Sequence, residues 1–538
     1  MPTKENPGER AGENISFWER TAQKFRTAPL SENLTADVCV VGAGIAGVTT
    51  AYLAAREGRH VVLIDDGPVG GGMTGRTTAH LVNAIDDRYI DLEKFLGEEC
   101  ARLTAESHTA AIDCAERIVR EHKIDCNFDR LDGYLFLPPG GSVSELMNEL
   151  EALHRAGLHS VERVDSIPNT KINSDAVLRF PRQAQFHPLK YLNGLARVIA
   201  DLGGQIFTGT RVVAVEDGDR VKVKTSDGHT ITAQAAVIAT NCPINDRLVI
   251  HSKQAPYATY VVCLRVTREV DDALFWDTAL TAGDEKQEIG PIPYHYVRFA
   301  RDQQGDVLIV GGEDHKTGQA EDWEQRFGKL ERWARDRFPF VGEITDQWSG
   351  QVMEPVDGVA YIGRNPGDKN VYVVTGDSGN GITHGILSGI LMVDLVAGRE
   401  NPWTKLYDPS RKTLKPRVLA DYVMENANVA AQFRDYVTQG SVKVLDEIKP
   451  GEGAVLRDGA KKIATYRDDS GKLHAFSAVC PHLKCVVRWD GCEKTWDCPC
   501  HGSRFDAFGC VLNGPAVRDL EPLNTTAARG NRPPVSSH

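Results

Sequence analysis

Residues 480–506, CPHLKCVVRWDGCEKTWDCPCHGSRFD, hold five cysteines and two histidines in a chain that otherwise spends cysteine sparingly. Cys480 and His482 form C-x-H, and Cys498 and His501 form C-x-x-H. Two thiolates and two imidazoles can hold zinc, or an iron–sulfur cluster ligated half by sulfur and half by nitrogen. Zinc fingers seldom use so tight a C-x-H and continue into a helix, which is not expected here. Far upstream, Gly42, Gly44 and Gly47 spell G-x-G-x-x-G directly after the apolar run DVCVV. In that pattern the first glycine permits a tight turn, the second admits a pyrophosphate, and the third lets a helix sit close on its strand. Asp65 follows 18 residues after Gly47 at the end of HVVLI, where a carboxylate accepts hydrogen bonds from a ribose. The neighbouring Asp66 reads as a solvated turn residue.

The rest of the composition narrows the function classes. The chain has 538 residues, which predicts two or three domains. Its net charge of −12 argues against nucleic acid, whose binders carry basic surfaces. Apolar content of 41% and charged content of 25% are ordinary for a globular protein. No run of eighteen apolar residues predicts a membrane span, and the polar N-terminus lacks the apolar core of a secretion signal. The expectation is a cytoplasmic protein. Six of the twelve cysteines are scattered singly and read as buried thiols. The other six crowd the C-terminal window, which in a reducing compartment points to metal ligation.

These residues need elements to position them. Residues 1–34 read as a polar leader with one short helix over 17–25. A strand, tight turn, helix and strand then carry the glycine motif. Helices are expected over 88–122, 187–202 and 320–338. The turns Asp217-Gly218 and Asp227-Gly228 mark hairpins. Residues 401–432 read as a linker ending in a short helix, 433–523 as a small β domain, and 524–538 as a disordered tail. The fold class is α/β: a Rossmann-like dinucleotide domain over about 35–90, 185–250 and 345–400, interleaved with an α+β substrate domain, and followed by an all-β domain.

Beyond the glycine motif, GPVGGGMTGRTTAHL supplies a second glycine-rich turn with Arg76 and Thr77. Here residues 33–400 resemble the FAD-dependent amine and D-amino-acid oxidases. TRVVAVE with Val212 is similar to that family's adenine-side segment. WSGQVMEPVDGVAYIG and TGDSGNGITHG are similar to its flavin-contacting segments. The resemblance implies FAD. It places Gly376, Gly381 and the helix after them near the flavin pyrimidine ring, where a positive helix end favours an anionic reduced flavin. No strand with a terminal acid follows that turn, so a separate NAD(P)H fold is not expected. Thr77 stands about where covalent relatives carry a histidine and His80 is three residues off, which implies non-covalent FAD. PIPYHYVRF corresponds to a sheet that covers the flavin. Its His295, Tyr296 and Arg298 are the catalytic candidates, with Arg298 as a possible fork for a substrate carboxylate.

Residues 433–523 resemble Rieske [2Fe–2S] domains. CPHLKC and CPCHGSRFD are similar to the two cluster loops, and LNGPA to the proline loop that shields the cluster. The resemblance assigns Cys480, His482, Cys498 and His501 as ligands and Ser503 as a donor to a cluster sulfur. For Cys485 and Cys500 it implies a disulfide, as in respiratory-type members, with the reduced pair as the alternative in a reducing compartment. Imidazoles in place of two thiolates set the potential at roughly −150 to +300 mV. Phe505 stands where the highest-potential members carry a tyrosine, which implies an intermediate value.

Together these features lead us to expect an enzyme that oxidises a small amine or amino acid at FAD. Electrons would pass singly to its own cluster and then to an external protein at exposed histidines. The alternatives are flow in the opposite direction, with electrons entering through the cluster from a donor protein to drive a flavin-dependent reduction or demethylation, and an oxygen-using oxidase with a docking or redox-sensing Rieske domain. No D-x-x-H-x-x-x-x-H segment supplies the mononuclear iron of an oxygenase.

Overall fold

The computed structural model describes residues 12–168, 170–245, 249–278, 294–442 and 444–523. The tail at 524–538 and the first eleven residues of the leader lie outside the described residues.

The strand Leu34–Val41 sits inside an eight-stranded sheet, parallel to Val61–Ile64 on one side and to Thr230–Ile238 on the other. Near-continuous Val, Ile and Ala suits these strands, because helices cover a parallel sheet and bury it. The helix Ile45–Arg56 covers one face and packs on Gly381–Val396. Gly389 permits that approach, since a Cβ there would meet Thr49 Cγ2 at 2.6 Å. The hairpin of Val212–Glu216 and Val221–Thr225 extends the same sheet through the two expected Asp-Gly turns.

A second, nine-stranded mixed sheet stands beside the first. Its long strands are Gln254–Val266, Gly305–Lys316 and Val341–Pro355, with His295–Asp302 next in order. The helix Trp323–Arg337 buries Phe327, Leu330 and Ala334 against it. The expected single helix over 88–122 is two, Tyr89–Leu96 and Glu98–His122, broken at Gly97 with φ +94°.

Two expectations about connecting segments change. The leader helix ends four residues early, at Thr21, and its Phe17 and Trp18 are buried in the main core. The apolar pair in an otherwise polar stretch fixes the leader to the body. The 401–432 segment is likewise packed: Leu406 and Tyr407 are buried, and Arg411 forks onto Asp357 at 2.6 and 2.8 Å. The helix Pro416–Gln432 then leads into the C-terminal domain. That domain has two four-stranded antiparallel sheets, one carrying the loops with the clustered cysteines. Among the described residues no helix is long and apolar enough to cross a membrane.

Candidate cofactor sites and the wall between them

Gly42 takes φ +104°, and a Cβ there would meet Ala239 O at 2.4 Å. A Cβ on Gly47 would lie 1.8 Å from Gly42 O, so this glycine serves helix packing and does not line the cavity. Gly44 lines it as the N-cap of Ile45–Arg56 with no side chain of its own to cap the helix, and Thr74 Oγ1 accepts from Ile45 N at 3.0 Å. Asp65 closes the turn by accepting from Ala43 N at 2.5 Å and Gly67 N at 2.7 Å, and it also faces the cavity. Asp66 sits in the bend after the strand as expected, with its side chain 38% exposed, and it also borders the cavity 3.5 Å from Arg211 Nε. Val212 borders the same end.

From there one cavity runs past Met73, Arg76 and Thr77 to the second sheet. Arg76 is almost wholly buried and already engaged. It donates to Ser349 O at 2.5 Å and Asn14 O at 2.9 Å, and its Nη2 lies 2.6 Å from Glu493 Oε2 of the C-terminal domain. Gly381 starts the helix over the far end of the cavity. Gly376, with φ +70°, forms the turn outside it, and Gly379 takes the lining position instead. His80 lines the cavity with its Nε2 on Val297 O at 3.2 Å, and burial beside Arg298 lowers its pKa to about 3.

The three catalytic candidates separate. Tyr296 lines the cavity beside Trp276 and Tyr294. His295 points the other way, stacks on Trp333 at 4.2 Å and pairs with Asp277 at 2.7 Å. Burial opposes its charge, but Asp277 and Glu313 raise its pKa. Arg298 shares the Tyr296 face, as strand alternation requires. Two residues further along, its guanidinium donates to Thr78 O, Ala79 O and Phe186 O at 2.7 to 3.3 Å. It holds the loop under the cavity and is not available as a fork for a substrate.

The cavity wall beside Tyr294 is acidic. Asp86 and Asp377 line it, and Tyr294 Oη donates to Asp86 Oδ2 at 2.5 Å. Burial pushes Asp86 up to about 7 and Asp377 up to about 6. Gly379 makes room, since a Cβ there would lie 1.8 Å from Asp86 Oδ2. The sequence carried no signal for these acids, because they come from segments almost three hundred residues apart.

In the C-terminal domain Cys480 and Cys498 are buried and their thiols lie within hydrogen-bonding reach of one another. The His482 and His501 rings are 5.1 Å apart at 88°. His501 Nδ1 is buried with no hydrogen-bond partner among the described residues, which suits a metal-ligating nitrogen. Cys485 and Cys500 form a disulfide between the two loops. The Cys485, Cys498 and Cys500 sulfurs lie within 4.8 Å of one another, but the disulfide occupies two of them, leaving Cys498 as the ligand. Ser503 Oγ accepts from Ala516 N at 3.0 Å, tying the second cluster loop to the proline loop. Phe505 is fully buried among the same cysteines. Phe505→Tyr should raise the cluster midpoint in redox titration, since donors near the sulfurs favour the reduced state. An unchanged midpoint would show that the ring does not face the cluster.

The two sites share a wall. Residues Val511, Leu512, Asn513, Gly514, Ala516 and Val517 of the C-terminal domain line the same cavity as the glycine motif. Gln351, also in the lining, donates to Gly502 O at 3.0 Å, next to His501. The histidine edge, expected to be exposed, faces the flavin-side domain. His501 is 7% exposed, and the His251 ring lies 5.0 Å from His482 and 5.9 Å from His501.

A glycine-turn dinucleotide fold under a substrate sheet, joined to a β domain with paired Cys/His loops, defines a flavin and iron–sulfur oxidoreductase. The chain belongs to the FAD dependent oxidoreductase family (DAO), whose model matches residues 37–395, and the Rieske [2Fe-2S] domain model matches 439–525. It is 30% identical over 95% of its length, and 97% of the relative's, to YhfW of Bacillus subtilis (strain 168), which carries the name Rieske 2Fe-2S iron-sulfur protein. Gamma-glutamylputrescine oxidoreductase of Escherichia coli (strain K12) is 25% identical over 71% of this chain and 89% of its own. Glycine oxidase from Geobacillus kaustophilus aligns with a TM-score of 0.55 at 17% identity, covering 71% of this chain and all of the other. The protein is thus an FAD- and [2Fe–2S]-dependent oxidoreductase with an amine- and amino-acid-oxidase-like fold.

Proposed function

We propose that this enzyme oxidises a cationic amine and passes the electrons from FAD to its own Rieske cluster, and from there to an external acceptor protein. The observation that carries the reading is the shared wall: the proline loop of the Rieske domain lines the flavin cavity. FAD supplies the acceptor for a hydride from the carbon beside nitrogen, and the cluster supplies a one-electron outlet.

The chain's own residues do the rest. Asp86 and Asp377 hold the ammonium group, and Tyr294 fixes the Asp86 carboxylate through its 2.5 Å hydrogen bond. With its pKa pushed up to about 7 by burial, Asp86 can take the proton an ammonium must lose before its neighbouring C–H bond breaks. Trp276 and Tyr296 wall the site and exclude water from the reacting carbon. With Arg298 committed to three carbonyls, the described lining favours an amine over an amino acid. The relative named for gamma-glutamylputrescine supports an amine substrate.

Cys498→Ser tests the outlet. The variant should lose the cluster signal yet still bleach its flavin with the amine under anaerobic conditions, while reduction of an external one-electron acceptor stops. Reduction of that acceptor at the wild-type rate would remove the cluster from the path.

A further inference from the structure

Asn513 belongs to the Rieske domain, at the end of the strand Val511–Asn513 and directly before the proline loop. It lines the flavin cavity, and its Nδ2 is buried without a hydrogen-bond partner among the described residues. A buried amide that lacks an acceptor costs free energy unless something else in the cavity supplies one.

Its surroundings show which part of the cavity it faces. The next residue, Gly514, has its Cα hydrogen side against Ile244 and Cys242 O: a Cβ there would meet Ile244 Cγ2 at 3.1 Å and Cys242 O at 3.2 Å. Two residues before Asn513, Val511 O accepts from Arg211 Nη2 at 3.2 Å. Arg211 Nη1 also donates to Asp519 at 2.8 Å, which pins the Rieske loop beside Asp66 and Val212. These residues bound the end of the cavity that carries Gly42, Gly44 and Asp65. Arg211 is occupied by Asp519, Val511 O and Asp66, so it is not the uncommitted donor at this end.

We infer that Asn513 is a cofactor-holding residue: its amide donates to an acceptor on the adenosine diphosphate half of FAD, so the Rieske domain completes the flavin site. The dependence is reciprocal, because a ligand held by both domains stabilises their docked arrangement by the same free energy that the docking adds to its affinity. The inference stands apart from the direction of electron flow, since it concerns binding alone.

The test uses the full chain with its cluster in place. Asn513→Leu removes the donor at similar volume, and Asn513→Asp replaces it with an acceptor and a charge. FAD affinity is read by flavin fluorescence on titrating deflavinated protein, with ADP as a competing probe and the Rieske electron paramagnetic resonance signal as a check on the loop. Asn513→Leu should weaken both FAD and ADP roughly tenfold, the worth of one good hydrogen bond. Asn513→Asp should weaken them further, and the cluster signal should stay unchanged in both. Wild-type affinities in both variants would overturn the assignment. Weaker FAD binding with unaltered ADP binding would overturn its placement on the adenosine half. Loss of the cluster signal in both variants would show that loop integrity, not the donor, sets the affinity.

Discussion

Glu493→Ala should lower the unfolding midpoint of the whole chain by the equivalent of about 3–5 kcal/mol, the usual cost of breaking a buried ion pair from one side. Glu493 and Arg76 are both wholly buried, one on each side of the domain interface, at 2.6 Å. Glu493 Oε1 also accepts from Ser349 N at 2.7 Å and Ser349 Oγ at 2.9 Å. Truncation leaves Arg76 charged in a site that water does not reach, and removes three further hydrogen bonds across the interface, from Ser349 N, Ser349 Oγ and Asn14 N. Arg76→Met combined with Glu493→Leu should recover much of the loss, because both charges of the close pair are then removed together. Burial opposes the Glu493 charge, but Arg76, Arg504 and the two Ser349 donors together outweigh it and hold the carboxyl below the ordinary glutamate range. A depressed carboxyl stabilises the fold above its unfolded pKa and loses that contribution as pH falls through the folded value. Scanning calorimetry from neutral to acid pH should therefore show the wild type losing its advantage over Glu493→Ala below the glutamate range. An equal gap at all pH values would mean that the pair contributes through shape alone.

Asp86→Asn should reduce kcat/KM for a cationic amine by about 10- to 100-fold, since a hydrogen bond to a charged group is worth roughly 1.5–3 kcal/mol. Asparagine keeps the shape and can still accept from Tyr294, so FAD affinity and the cluster signal should not move. Most of the loss should fall on KM if Asp86 holds the ammonium group, and on kcat if it chiefly takes the proton. In wild type the profile of kcat/KM should rise with pH through the Asp86 range near 7, where burial has placed it, and the variant should lose that limb. An unchanged kcat/KM, or a gain on amines alone, would remove Asp86 from the substrate site.

The chemistry that lies close together in the chain was legible in the sequence. The glycine turn, the acid ending the next strand and the paired Cys/His loops each sit within one strand–turn unit, so spacing alone specifies their geometry. His295, Tyr296 and Arg298 were equal candidates in the sequence, and alternation along the strand did not say which face meets the cavity. Tyr296 lines it, His295 turns away onto Trp333, and Arg298 lies deeper, where the carbonyls of Thr78, Ala79 and Phe186 claim its donors. Asp86 and Asp377, His251 against the histidine rings, Glu493 under Arg76 and Asn513 in the cavity all depend on contacts between distant segments. No local pattern marks them. The leader misled for a physical reason: two large apolar residues, Phe17 and Trp18, outweigh its polar composition once they find the core.

The central claim is that the flavin and the cluster form one electron path inside the chain. The most direct test mixes the full, cofactor-loaded protein anaerobically with a panel of primary and secondary amines in a rapid-mixing instrument. Flavin absorbance and the Rieske electron paramagnetic resonance signal are followed in the same reaction, with no external acceptor present. The account predicts that an amine bleaches the flavin and that the reduced-cluster signal then grows at the flavin's expense, at a rate independent of protein concentration. A flavin that bleaches while the cluster stays oxidised, or a cluster that fills only at a rate proportional to protein concentration, would contradict it.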